Sequence, residues 1–253
     1  DPLATGVLVV AVGEGVKLVD FLTNETKEYI AEVECGILTD TLDVLGNTLD
    51  TQQDYVLTKE KIEEVLKSFL GKSIQEVPLY SSIRVEGKRL YEYARNGEEV
   101  ELPKRDIEIF SIELLDLKEN SFTFKVKVSK GTYIRSLIRD IGMRLNILCT
   151  MKNLTRTKQG IYNIEDSNTL EEIENGNYKL ISFYDALHDY PMVEVDDYIE
   201  NKLVNEFDRS VSTYFNEISK CTPLSREEEF NLWEQYKKNN DLTYKQEEIK
   251  NVN

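Results

Sequence analysis

Phe122, Phe124, Val126 and Val128 alternate without a break with Thr123, Lys125 and Lys127. Strict period-two patterning suits only a strand that buries one face and wets the other. Residues 27–36 alternate more loosely, and residues 107–117 predict a further strand. Residues 7–12 form a continuous apolar run closed by Gly13 and Gly15, which reads as a buried strand, a turn and a short helix through Val16, Val19 and Leu22. Two segments change period. Over 58–70, Ile62, Val65, Leu66, Phe69 and Leu70 fall on one helical face, with Thr58 to cap the start and Gly71 to mark the end. Over 133–145, Ile134, Leu137, Ile138, Ile141 and Leu145 do the same. Strands dominate and helices are interspersed, which predicts an α+β sheet protein.

No window of the 253 residues approaches the 18 or so apolar residues of a membrane span, and no secretory signal is visible. Three widely spaced cysteines, Cys35, Cys149 and Cys221, make no disulfide framework, which fits a reducing cytoplasm. The single histidine, His188, and the lack of a C-x-x-C leave the usual zinc sites and the Ser-His-Asp and Cys-His nucleophiles without their parts. Carboxylates are what remains for chemistry. The net charge of −16 argues against a polyanionic partner, yet the average conceals a local excess. Between residues 130 and 160, Lys130, Arg135, Arg139, Arg144, Lys152, Arg156 and Lys158 face one acid, Asp140. Where charge sits decides what a surface binds.

Four places carry candidate chemistry. Asp1 precedes Pro2, which biases it to extended geometry at the head of a small-residue turn. Ser129-Lys130-Gly131-Thr132-Tyr133-Ile134-Arg135 ends a strand, turns at glycine and starts a helix, giving Arg135 a fixed base for a bidentate grip on carboxylate or phosphate; a solvated basic helix face fits the same residues. Tyr29, at the start of an alternating strand, is a packing residue by default. Thr39-Asp40-Thr41-Leu42-Asp43 reads first as a loop whose side chains cap their own backbone, and second as a carboxylate pair for a cation or for acid/base work.

Taken together, Asp1 to Gly6 (DPLATG), Lys27 to Tyr29, Thr39 to Asp43, Val77 to Ser82 with Gly87 to Gly97, and Lys130 to Arg135 resemble the bacterial TruB-type tRNA pseudouridine synthases, in that family's order and at about its spacing. The likeness covers residues 1 to about 205. It implies a mixed, mainly antiparallel sheet with flanking helices, and isomerisation of the T-loop uridine at tRNA position 55 without cofactor or metal. It further implies that Asp1 is the catalytic aspartate, Arg135 the arginine paired with it and Tyr29 the tyrosine stacked on the target base, with Tyr133 and Leu154 lining the pocket. Lys130, Arg139, Lys152, Arg156 and Lys158 are then the expected grip on the RNA backbone.

Two departures accompany the likeness. Family members carry a strand with a Lys-Pro motif and a His-x-Gly stretch before this aspartate. Here Asp1 comes first, and an ammonium in place of an amide beside its carboxylate is expected to perturb both pKa and geometry and to weaken activity. The texture also changes near residue 199. From Asp208, Val211, Tyr214, Phe215 and Ile218 line one expected helix; Phe230, Trp233 and Tyr236 line a second behind a Ser225-x-x-Glu228 capping box. Residues 208–218 and 222–229 resemble the opening of the core region of primary-type RNA polymerase sigma factors. The expected division is therefore a catalytic domain over 1–205 and a helical tail over 206–253, with tRNA as partner, no membrane, and RNA polymerase as the partner implied for the tail.

Overall fold

The computed structural model describes residues 2–23 and 25–187; Asp1, Asn24, His188 and the expected tail helices lie outside the described residues. Within them the strands are β1 (Ala4–Gly6), β2 (Lys27–Cys35), β3 (Ile37–Thr39), β4 (Thr48–Thr51), β5 (Gly71–Glu76), β6 (Arg84–Val85), β7 (Lys88–Arg89), β8 (Lys104–Leu117), β9 (Ser121–Val128), β10 (Cys149–Gln159) and β11 (Tyr162–Asn163). The helices are α1 (Val19–Thr23), α2 (Lys59–Lys67), α3 (Leu90–Asn96), α4 (Ile134–Leu145), α5 (Leu170–Glu174) and α6 (Phe183–Ala186). Contacts divide the chain after Ser167.

The first unit is built on one sheet in the order β1-β10-β2-β9-β8-β5, with β11 paired to β10. Every pairing is antiparallel except β1 with β10, so the expected α+β, mainly antiparallel architecture holds. The alternating strand sits in the middle: Phe122, Phe124, Val126 and Val128 are at most 1% exposed. Ala31 and Val33 of β2, Met151 and Leu154 of β10, and Ile62 and Leu66 of α2 join them in one core with Ile134, Leu137, Ile138, Ile141 and Leu145 of α4. Thr58 accepts from the Lys61 N–H at 3.4 Å and starts α2 as expected. In the second unit, Thr169 and Glu172 form a capping box at α5, and Ser182 caps α6.

The expected strand over 7–12 is not formed. β1 is three residues long, its last ladder bond runs from the Val7 N–H to the Arg156 carbonyl at 2.9 Å, and Leu8, Val10 and Val12 are 57–74% exposed. An apolar run becomes a strand only where an edge offers continued pairing, and beyond Arg156 that edge of β10 is taken by β11, which pairs with Lys158 and Gln159. Conversely, β10 is a long strand where the sequence reads as a basic stretch: Lys152 and Lys158 lie beside glutamates of β2, while Arg156 stands opposite Tyr29.

Candidate active site

Four pieces of chain meet at the start of α4. Gly131, at φ 83°, turns the chain out of β9, and the Thr132 hydroxyl donates to the Ser129 carbonyl at 3.0 Å to close the turn. The helix then places Arg135 and Ser136 on its first turn, where amphipathic spacing alone would leave them wet, yet they are 7% and 0% exposed. Loops on either side cover them. Arg135 Nη1 donates to the Thr41 carbonyl at 2.7 Å and Nη2 to the Tyr80 carbonyl at 2.9 Å. The guanidinium thus joins the loop between β3 and β4 to the loop after β5. Asp43 stands beside it, Oδ2 to Nη1 3.9 Å, and is itself 4% exposed. Burial pulls the Arg135 pKa down from its ordinary value while Asp43 opposes that pull; arginine stays charged in any case.

The 39–47 loop is held as self-capping residues predict. Asp43 Oδ1 accepts from the Thr41 hydroxyl at 2.9 Å and from the Leu45 N–H at 3.1 Å, and Asp40 accepts from the Asn47 backbone at 2.8 Å. It is more than a cap, however. The backbone of Met151 in β10 donates to the Leu42 carbonyl and accepts from the Val44 N–H, both at 3.0 Å, so the sheet carries the loop and with it Asp43. Sequence reasoning saw the loop and missed that its second aspartate faces Arg135; the three-residue spacing from Asp40 held no signal for it.

The other expected site residues are placed as follows. Asp1 lies outside the described residues. Tyr29, on the core-facing side of β2, packs against the core; burial raises its pKa, and Arg156, opposite it in the β2–β10 register, lowers it by charge and hydrogen bond. Tyr133 is the residue before α4 and is half-buried. Leu154 is 3% exposed and belongs to the core between Ala31 and Ala4 in register. The basic residues part company. Arg139 is paired with Glu76 and Asp140, each at 2.9 Å, and Lys152 with Glu32 and Glu34 at 3.3 and 2.9 Å. Burial lowers the pKa of Lys27, and Arg156 and Lys130 lower it further by charge, so these three cations are neighbours. Lys158 sits close enough to Glu28 to stabilise that carboxylate. Lys27 was not singled out from the sequence as a binding residue. Gly6 ties this region to the site: at φ 95°, any Cβ there would collide with the Arg156 carbonyl.

Among the described residues no cluster of His, Cys, Asp or Glu could hold a metal ion, and no helix is long and apolar enough to cross a membrane.

Known proteins resemble this arrangement. Residues 1–134 match the TruB family pseudouridylate synthase N-terminal domain. The tRNA pseudouridine synthase B of Clostridium tetani is 44% identical over 207 residues, 81% of this chain and 72% of the relative. Those of Caldanaerobacter subterraneus subsp. tengcongensis (40% over 222 residues, 87% and 78%) and Bacillus cereus strain ATCC 10987 (42% over 218 residues, 81% and 71%) are similar. A chain of a Cbf5–Nop10–Gar1 complex superposes with TM-score 0.52 at 28% identity over 76% of this chain, and one of an H/ACA RNP bound to a substrate RNA containing 2'-deoxyuridine with 0.50 at 25% over 78%. This chain spans 46% and 45% of those two. The fold and the relatives are those of a pseudouridine synthase, an isomerase. Within that class the chain belongs to the TruB family.

Proposed function

We propose that the protein isomerises the T-loop uridine of tRNA at position 55 to pseudouridine, with Asp1 as the catalytic carboxylate. The observation that carries the reading is the buried Arg135 at the head of α4, aimed across the 39–47 loop by two backbone carbonyls and faced by Asp43. β1 supports it. That strand runs parallel to β10 with Ala4 opposite Leu154, so the chain entering it comes from the direction of Met151, the residue whose backbone holds Leu42 and Val44. An aspartate arriving there would meet the Arg135 guanidinium.

The chemistry suits such a pair. The C1'–N1 bond must break and a C1'–C5 bond form; C5 then loses a proton and N1 gains one, with no net redox change. A carboxylate next to the anomeric carbon serves as nucleophile or stabilises oxocarbenium character, the demand that glycosidases meet. Arg135 holds that carboxylate ionised, and Asp43 balances the arginine. Tyr29 offers the flat floor on which the detached uracil turns, with Tyr133 and Leu154 beside it. Arg156, which stands opposite Tyr29, offers a cation for the RNA backbone together with its neighbours Lys27 and Lys130 and with Lys158; for Arg139 and Lys152 to bind RNA, their carboxylate partners must be exchanged. A cytoplasmic location goes with a tRNA substrate, and the catalytic domain extends to about residue 205. For residues 206–253 the sigma-like motif supports contact with RNA polymerase, tested by whether the whole chain retains polymerase and the chain without 206–253 does not.

The test of the main reading maps pseudouridine in unmodified tRNA incubated with a chain whose Asp1 is joined to a preceding residue. One new pseudouridine in the T loop is expected; none, or one elsewhere, overturns the reading.

A further inference from the structure

A feature outside the list of expected site residues controls where Arg135 points. Gln75 is the penultimate residue of β5, is 3% exposed, and turns its amide to the chain just before α4. Its Oε1 accepts from the Tyr133 N–H at 2.8 Å, and its Nε2 donates to the Tyr133 carbonyl at 3.1 Å. The side-chain amide thus pairs with Tyr133 as a neighbouring strand would. That carbonyl also receives the Leu137 N–H at 3.0 Å, the first bond of the helix, so both of its lone pairs are used. The Tyr133 side chain makes no cap bond, so Gln75 supplies the cap from another element. Next along β5, Glu76 continues the seam: its carbonyl accepts from the Ser136 hydroxyl at 2.8 Å and its carboxylate from Arg139 at 2.9 Å.

We infer that Gln75 is a positioning residue for the proposed isomerisation, fixing the backbone of Tyr133 and through it the aim of Arg135 two residues later. The inference rests on the proposed function for its effect on rate, but not for its effect on structure. A bare strand-to-helix turn containing Gly131 leaves the start of a helix free to fray or rotate, and a guanidinium displaced by an ångström no longer serves a fixed carboxylate. Among the described residues, Gln75 alone holds both backbone groups of Tyr133 at once, which a packing residue would not do.

The test uses Gln75→Leu, which keeps the volume and removes both bonds, and Gln75→Glu, whose carboxyl reproduces donor and acceptor only when protonated. Hydrogen exchange at the Tyr133 amide reads the structural step. Gln75→Leu is expected to speed that exchange at least tenfold with the thermal midpoint and far-UV spectrum little changed, and unchanged exchange overturns the inference whatever the activity. Single-turnover pseudouridine formation reads the consequence. Gln75→Leu should lose at least tenfold in rate with tRNA affinity within twofold of the parent, and Gln75→Glu should regain rate as pH falls, a limb the parent lacks. A rate within twofold for Gln75→Leu, a parental pH profile for Gln75→Glu, or affinity and rate lost in equal measure would overturn it. A parent that makes no pseudouridine while the exchange result holds marks the proposed function as the failure instead.

Discussion

Two sets of cations in this molecule are treated oppositely. Arg135 is buried, bonded to two backbone carbonyls and balanced by Asp43. Lys27, Lys130 and Arg156 crowd one another, so that Lys27 is pushed below its ordinary pKa by its neighbours as well as by burial. A cation held at both terminal nitrogens by backbone carbonyls serves as a fixed reference point for chemistry, while cations that repel each other store an attraction for an anion. On the proposed function, the first set serves catalysis and the second RNA binding, a division that a count of positive charges does not make.

The largest expected effect separates them. Arg135→Lys cannot make the fork to Thr41 and Tyr80 and should cost about a hundredfold in single-turnover rate, with tRNA affinity nearly intact. Equal loss of affinity would merge the two sets. Next, Asp43→Asn removes the balancing charge but keeps a side-chain oxygen for Thr41 and Leu45; a fall of roughly tenfold in rate is expected, about 1.4 kcal/mol, measured as the same single turnover. Lys27→Ala should act in the opposite sense. Affinity falls several-fold, the slope of log K against log salt becomes shallower by about one, and the rate at saturation holds. An unchanged slope would take Lys27 out of the binding set. The pH dependence has a definite sign. Because Lys27 is depressed in the folded protein, its charged form costs stability in full below the folded pKa, and that cost is relieved as pH rises from the folded to the unfolded value. Lys27→Ala should therefore raise the thermal midpoint slightly at neutral pH, and less so at pH 10. The smallest effect lies far from both sets. Thr58→Ala should lower stability by about 1 kcal/mol through the α2 cap and leave rate and affinity alone.

Much of the framework could be read from the chain because period and burial agree there. The strict alternation of 122–128 became the central strand, and the apolar faces of α2 and α4 are buried where their spacing put them, except that α2 ends at Lys67 and Leu70 beyond it is 49% exposed. Local patterning failed where long-range pairing decides. Residues 7–12 have strand composition but no continuing partner, and β10 is rich in lysine and arginine yet pairs with both β1 and β2. The site was legible in part. Arg135 stands out as the first arginine after a glycine turn, but its partners are carbonyls and a carboxylate from positions 41, 43 and 80, which no spacing links to 135. Gln75 gives no signal at all, since a glutamine in a strand is ordinary until the helix it caps is seen. Charge counting also misled for Arg139 and Lys152, whose carboxylate partners lie on other strands and on the neighbouring helix position.

The account depends on the proposal that the carboxylate at position 1 acts on the uridine, with Arg135 and Tyr29 in the roles proposed for them. Release of tritium from tRNA labelled at C5 of its uridines follows the isomerisation itself, independent of binding. With Asp1 joined to a preceding residue, one tritium per tRNA is predicted from the T loop, and none from Asp1→Asn, which should still bind the tRNA. Release by Asp1→Asn at the parental rate would contradict the account.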